Sequence, residues 1–354
     1  MISNLKYLKF LPALIWKNKI AEATFFITDI CNMKCKHCFV LDALNKKLPM
    51  LSPDEIRKMG KFIKPIQRVH VGGGEPFTRK DLFEVIRAFS ETWKPGVICV
   101  PTNGWFTERV LEFIDQYGTI CKGNIRIHFS INSPYPEDMD KFTTLKGSFE
   151  RWKDSITKAI ERAKKYKNVT IVALSTYNEY NQHYFKDLID YLHKEIKVPD
   201  FSFQIARTHE NYKPELNYQK FREINDYYFK TYNKQDRFIA TFRKLSREKS
   251  VDYFENPKFT KTCTSGKLRI VVSPTGDIYP CEKLGYPNLK DMHHWLLGNV
   301  RDYDYDINKL LKDKNANLCY DKICNTNCHC DHNIDQSLKL LSDPIYRFKL
   351  IKDV

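Results

Sequence analysis

The chain has 354 residues, a formal net charge of +15, 42% hydrophobic and 14% aromatic residues. This composition supplies a sizeable core and excludes a disordered or low-complexity chain. Eleven cysteines, without a signal-peptide pattern, speak for metal ligation in a reducing, cytoplasmic setting rather than for a disulfide scaffold. No stretch reaches the roughly 18 apolar residues of a membrane span, and the basic balance favours anionic partners.

Residues 1–22 read as a lead-in helix packed on the outside of the fold. The apolar and basic stretch at 5–17 would also let it rest on a membrane surface, a reading that Pro12 weakens. The apolar run at 23–27 is the first expected strand. Directly after it stands Cys31-Asn32-Met33-Lys34-Cys35-Lys36-His37-Cys38. This C-x3-C-x2-C spacing offers three thiolates to one cubane cluster and leaves one iron open, whereas a cluster that is only held in place usually has four cysteines. Zinc is the competing reading, but structural zinc wants four closed ligands, and His37 cannot easily join its neighbours in so short a loop. Three ordinary buried thiols are the third reading.

Ser52, Pro53 and Glu55 open a helix with a capping box. A strand at 68–71 runs into Gly72-Gly73-Gly74-Glu75-Pro76. Consecutive glycines let a ligand approach the backbone, and Glu75 can accept a hydrogen bond from an ammonium group. A helix at 81–90 precedes a strand at 97–100 that leads into Thr102-Asn103-Gly104. A helix at 107–117 precedes the strand at 124–131, where Ile125, Ile127, Phe129 and Ile131 share one face and Ser130 and Asn132 close the run. A helix at 148–165 and strands at 169–174 and 201–206 come next, and Arg207 ends the last strand. Six β-α units predict a parallel sheet with right-handed crossovers, two units short of a closed TIM barrel. The expected fold class is α/β: a partial (β/α)6 TIM-like barrel over 23–208, a helical connector over 209–260 and a cysteine-rich domain over 261–354.

In that last region, twelve residues separate Cys263 from Gly276, and four separate Gly276 from Cys281. The segment 270–280 reads as a β-hairpin with its turn at Pro274-Thr275-Gly276-Asp277, which would bring Cys263 and Cys281 to the same end. Cys319, Cys324, Cys328 and Cys330 stand further along the chain. Cys99 and Cys121 read as core thiols.

Together these motifs resemble the radical S-adenosylmethionine (SAM) superfamily. The resemblance implies a [4Fe–4S] cluster on Cys31, Cys35 and Cys38 whose open iron takes the amino and carboxyl groups of SAM. It places His37 where the family usually has an aromatic ring near the adenine. It places Gly73, Gly74 and Glu75 on the SAM amino group and matches Thr102 and Asn103 to the family's TNG. Ser130 and Asn132 fall on the ribose or carboxylate segment, with Asn132 standing where many relatives have Asp. Arg207 is either a partner of the SAM carboxylate or a surface arginine. The Cys263–Cys281 segment resembles the opening of a SPASM/Twitch auxiliary-cluster domain. The later spacing departs from the full SPASM pattern, and six cysteines are too few for two four-ligand clusters. One auxiliary [4Fe–4S] cluster on Cys263, Cys281, Cys319, Cys324, Cys328 and Cys330, in some combination of four, is the simplest count. Two clusters with an open iron, a ligand from His329 or His332, and a zinc knuckle at 319–332 stay open.

The implied activity is reductive cleavage of SAM to a 5′-deoxyadenosyl radical and abstraction of a substrate hydrogen atom, with the auxiliary cluster in electron transfer. A flavodoxin- or ferredoxin-type reductant is implied with it. Twenty-two residues precede the first expected strand, fewer than a domain needs, which leans the expectation toward a small, anionic, sugar- or nucleotide-like metabolite. A maturase that oxidises or cross-links a ribosomally made peptide is the alternative. A zinc-stabilised nucleic-acid-binding protein is the distant one, since it leaves the glycine run and the β-α rhythm unexplained. Nothing in the sequence selects a catalytic acid or base.

Overall fold

The computed structural model describes residues 20–63, 65–207, 212–232, 237–255, 265–286 and 292–324. The lead-in segment 1–19 and its membrane-surface reading lie outside them. Among the described residues, no helix is long and apolar enough to cross a membrane.

Six strands, β1 (Glu22–Thr28), β2 (Arg68–Gly73), β3 (Val97–Thr102), β4 (Ile125–Ser130), β5 (Val169–Tyr177) and β6 (Phe201–Ile205), pair in parallel in sequence order. Every residue of β1 is buried, as expected of a strand covered on both faces. Along β4, Ile125, Ile127 and Phe129 are buried, while Arg126, His128 and Ser130 on the other face are half-buried. The sheet thus has an apolar outer face under helices and a more polar inner face.

The outer layer holds α1 (Pro53–Gly60), α2 (Leu82–Ala88), α3 (Thr107–Ile120), α4 (Pro136–Thr143), α5 (Ser148–Ala163) and α6 (Phe185–Tyr191). The capping box at Ser52 and Glu55 forms, with Pro53 in the first turn. Phe25 of β1 packs edge-on against Phe89 and Trp93, with ring centres 4.6 and 5.1 Å apart, and the Trp93 indole N–H donates to Ile56 O at 3.1 Å. Phe89–Trp93 is a π-helical turn closed by Lys94 at φ 46°. Leu192–Ile196 repeats the arrangement after α6, closed by Lys197 at φ 58°. Helix α4 is an addition to the sequence reading; Pro136 in its first turn, with Glu137 and Asp138 behind it, is its signature.

Two longer helices come next, α7 (Tyr218–Thr231) and α8 (Arg237–Glu255). Arg247 of α8 donates to the carbonyl of Phe203 at 3.1 Å, which covers part of an edge strand that would otherwise present unpaired backbone.

β7 (Arg269–Val272) and β8 (Asp277–Tyr279) form the antiparallel hairpin expected over 270–280. β7 also pairs in parallel with β1. The sheet is therefore continuous through nine strands in the order β6-β5-β4-β3-β2-β1-β7-β8-β9, β9 being Gly298–Asn299. The C-terminal region extends the sheet on the side of the strand that leads into Cys31. Glu55 secures this junction: it accepts from Arg301 Nε at 2.8 Å and from the Tyr305 hydroxyl at 3.0 Å. Helix α9 (Ile307–Leu310) and helix α10 (Lys314–Cys324) complete the described chain.

Candidate active site

The loop after β1 carries Cys31, Cys35 and Cys38, and its backbone is pinned at several points. The Asn45 carboxamide clamps Cys31, accepting from its N–H at 3.1 Å and donating to its carbonyl at 3.3 Å. Lys34 N–H and Lys36 N–H donate to Thr143 O at 3.2 Å and Phe142 O at 3.1 Å, so the loop docks on the C-terminal end of α4. Cys38 N–H turns back onto Cys35 O at 3.0 Å. Burial pushes the Cys31 and Cys38 thiols up to about 11. Cys35 is driven higher still, by burial first and then by the neighbouring Cys38 and Cys31. Three half-buried thiols that disfavour one another's ionisation become thiolates only around a strongly cationic group. Three thiols on one loop are the donor type a cluster iron takes, although among the described residues no group of three or more His, Cys, Asp or Glu is gathered closely enough to hold a single metal ion.

The glycine run lies against this loop. Gly74 N–H donates to Thr28 O and Glu75 N–H to Ile30 O, both at 2.8 Å. Gly73 has φ 112°, and a Cβ there would stand 2.0 Å from Thr28 O; at Gly74 it would stand 2.1 Å from Ile30 O. Only glycine permits the chain to run this close to the end of β1.

Glu75 is 2% exposed. One carboxylate oxygen accepts from Phe77 N–H at 3.1 Å and the Thr102 hydroxyl at 3.0 Å; the other accepts from Asn103 N–H at 2.6 Å. Burial outweighs these donors and raises its pKa to about 7. An ammonium group arriving beside it would restore the charged form. Thr102 and Asn103 thus act on Glu75, and Asn103 also donates from its side chain to Asn32 Oδ1 at 2.8 Å.

The other expected site residues spread from the barrel mouth to the C-terminal region. His37 lies 4.9 Å, centre to centre, from the ring of Phe142. Ser130 ends β4, half-buried. Asn132 is buried and its Oδ1 accepts from Thr176 N–H at 3.3 Å, so its side chain secures the end of β5. Arg207 is ion-paired with Glu282, and its guanidinium lies 5.5 Å from the centre of the Phe39 ring. Cys281 and Cys319 are buried, and burial raises the Cys319 thiol to about 11. Cys263, Cys328, Cys330, His329 and His332 lie outside the described residues, as does the side chain of Cys324.

An apolar cluster of Phe26, Val40, Ala43, Leu44, Val271, Tyr279 and Tyr286 has Cys31, Cys38, Phe39 and Trp295 packed against it. The Cys319 thiol approaches the Trp295 carbonyl at 3.8 Å. Among the residues sequence reasoning missed are Asn45, fourteen positions from the cysteine it clamps, and Asp29, buried with neither carboxylate oxygen hydrogen-bonded among the described residues. Arg79 is another: its buried guanidinium donates to Ile27 O at 2.7 Å and Leu51 O at 2.6 Å. None carries a local sequence signal, because each acts through the tertiary fold rather than through its neighbours in the chain.

Comparison with known proteins bears directly on this arrangement. Residues 25–192 match the radical SAM superfamily. The GTP 3′,8-cyclase of Syntrophomonas wolfei is 25% identical over 177 residues, 49% of this chain and 51% of that protein. The subtilosin biosynthesis protein AlbA of Bacillus subtilis is 25% identical over 267 residues, 73% of this chain and 54% of that protein. The chain thus spans about half the length of these curated relatives. The crystal structure of Streptococcus suis SuiB bound to precursor peptide SuiA superposes with a TM-score of 0.63 at 15% identity, covering 97% of this chain and 77% of that one; it shows a shared fold. The three-cysteine loop, the GGEP run and strands β2 to β5 all fall within residues 25–192, the stretch of this chain that matches the radical SAM superfamily.

Proposed function

We propose that the chain abstracts a hydrogen atom from a small anionic metabolite held at the C-terminal ends of the barrel strands, with at least one auxiliary [4Fe–4S] cluster in its cysteine-rich region taking part in electron transfer. The observation that carries the chemistry is the docking of the glycine run on the chain just ahead of Cys31: Gly74 N–H donates to Thr28 O and Glu75 N–H to Ile30 O. When bound, the cluster and SAM supply the electron and the 5′-deoxyadenosyl radical. The chain's own residues do the rest. Cys31, Cys35 and Cys38 would hold the cluster, three thiolates leaving one iron without a protein ligand for SAM. Glu75, fixed by Phe77, Thr102 and Asn103, receives the SAM ammonium. Gly73 and Gly74 let it approach the backbone. His37, Ser130 and Asn132 border the adenosyl side. Cys281 and Cys319 are the described candidates for the auxiliary ligands, with Cys263, Cys324, Cys328 and Cys330 completing the set. Arg207, already paired with Glu282, ties the barrel mouth to the auxiliary region.

The substrate class rests on charge. The net charge of +15 favours an anion. The ion pairs of Arg68 with Glu22 and of Arg126 and Arg243 with Asp200 stand at the opposite, N-terminal end of the parallel strands and take no part in the site. The second reading, a peptide substrate, is favoured by the alignment with AlbA, a biosynthesis protein for the bacteriocin subtilosin, over 73% of this chain. Reduced, reconstituted enzyme with SAM is incubated with pools of phosphorylated metabolites and, separately, with peptides encoded beside its gene. Substrate-dependent 5′-deoxyadenosine with a metabolite, weakened by salt, supports the first reading; formation only with a peptide replaces it by the second. The reductant, of flavodoxin or ferredoxin type, is read from which donor supports that turnover.

A further inference from the structure

Asn32 sits inside the cluster loop, between Cys31 and Cys35, and its carboxamide orientation is fixed by groups outside the loop. Side-chain amides are ordinarily ambiguous between their oxygen and nitrogen. Here a backbone donor removes the ambiguity. Trp105 N–H donates to Asn103 Oδ1 at 3.0 Å, and a backbone N–H can only donate. The Asn103 NH2 group must therefore be the end that faces Asn32, where it donates to Asn32 Oδ1 at 2.8 Å. Asn103 is itself anchored, its own N–H donating to Glu75 Oε2 at 2.6 Å. Asn32 is left presenting its NH2 group away from Asn103. That nitrogen is buried and has no hydrogen-bond partner among the described residues.

A buried N–H without a partner is costly, and such groups are rare in native proteins unless something else supplies the acceptor. The acceptor-rich object in this loop is the group that Cys31, Cys35 and Cys38 hold, whose sulfides and thiolates all accept hydrogen bonds. We propose that the Asn32 Nδ2–H donates a hydrogen bond to a sulfur of the [4Fe–4S] cluster, and that Asn103 is the positioning residue that aims it. This inference rests on the radical SAM reading of the loop. Hydrogen bonds to cluster sulfurs stabilise the more negative, reduced state and raise its potential. The same Asn103 that orients Asn32 also holds Glu75, so the residue expected to receive the SAM ammonium and the residue that tunes the cluster share one anchor.

The test is a redox titration of the anaerobically reconstituted full chain without SAM, tracking by EPR the signal that is absent in Cys31→Ala/Cys35→Ala/Cys38→Ala. In Asn32→Ala the reduced-to-oxidised ratio at a fixed potential should fall about tenfold, equivalent to about 59 mV for a one-electron couple. Asn32→Ser, which keeps a donor, should recover part of the shift. Pulsed EPR after exchange into deuterium oxide should show a deuteron coupled to the cluster in the wild type and lose it in Asn32→Ala. An unchanged midpoint and unchanged coupling with full iron content overturn the proposal, as does an unchanged midpoint with weakened SAM binding, which would give the N–H to SAM instead. Should Asn32→Ala fail to assemble the cluster, Asn103→Leu is read in the same way; failure of both makes the pair structural and also overturns it. If the triple cysteine variant retains all its iron, the family reading of the loop has failed instead.

Discussion

Arg207 pairs with Glu282 while its guanidinium lies over the ring of Phe39. Phe39 comes directly after Cys38 and Glu282 directly after Cys281, so one side chain bridges the neighbours of two cysteines 243 positions apart in sequence. The SAM carboxylate was one expected partner for Arg207. The structure shows the guanidinium engaged at the seam between the barrel and the cysteine-rich region.

Replacing Arg207 with leucine should therefore destabilise that seam. Glu282 is 11% exposed at its side chain and would lose its cation in a poorly solvated place, at a cost of about 2 kcal/mol for a partly buried pair. A double-mutant cycle with Glu282→Leu, read by urea denaturation, should show clear coupling. Additive losses would mean that the pair does not hold the seam.

Glu75 makes both stability and SAM binding depend on pH. Its folded pKa of about 7 lies above the ordinary glutamate value of 4.5. Between those values the folded state holds a proton that the unfolded state has lost, so stability of the cluster-free protein falls as pH rises from about 5 to about 7, by about 3 kcal/mol. Glu75→Gln should flatten that slope. SAM, whose ammonium needs the carboxylate, should bind more tightly as pH rises toward 7 and level off above it, by at most about tenfold per unit. Calorimetry across roughly pH 5.5–8 decides; affinity flat over that range contradicts the role given to Glu75.

Gly74→Ala should damage the site through the backbone alone. The new Cβ would stand 2.1 Å from Ile30 O, forcing the glycine run off the cluster loop at about 1–3 kcal/mol. SAM affinity should fall with stability. Full retention of both would show that the close approach is not needed.

Glu55 joins α1 to the C-terminal region through Arg301 and Tyr305 as well as capping its own helix. Against its burial, the Arg301, Ser52 and Tyr305 donors hold its pKa down at about 2. Its contribution is thus complete above about pH 4.5 and lost as pH falls toward 2. Glu55→Ala should cost about 1–2 kcal/mol at neutral pH, measured by thermal unfolding, and should reduce the acid sensitivity.

The strands and the loop motifs at their ends were legible because each rests on local pattern: apolar runs such as 23–27, alternation in β4, and glycines where the backbone must approach. Helix α4 escaped because its eight residues carry little periodicity, although its end anchors the cluster loop. The π-helical turn at Phe89–Trp93 extends its helix where Trp93 packs against Phe25, a non-local contact that propensity does not encode. The pairing of β7 with β1 is non-local, and a four-residue strand does not announce its partner. Asn32, Asn45 and Arg79 were invisible for the same reason: a polar residue's partner is set by the tertiary fold.

The most direct measurement is iron and sulfide per chain after anaerobic reconstitution, in the wild type and in Cys31→Ala/Cys35→Ala/Cys38→Ala. The triple variant should lose about four irons and keep those of the auxiliary region, about four for one cluster. A triple variant with the same iron content as the wild type would contradict the assignment of the SAM-binding cluster to this loop.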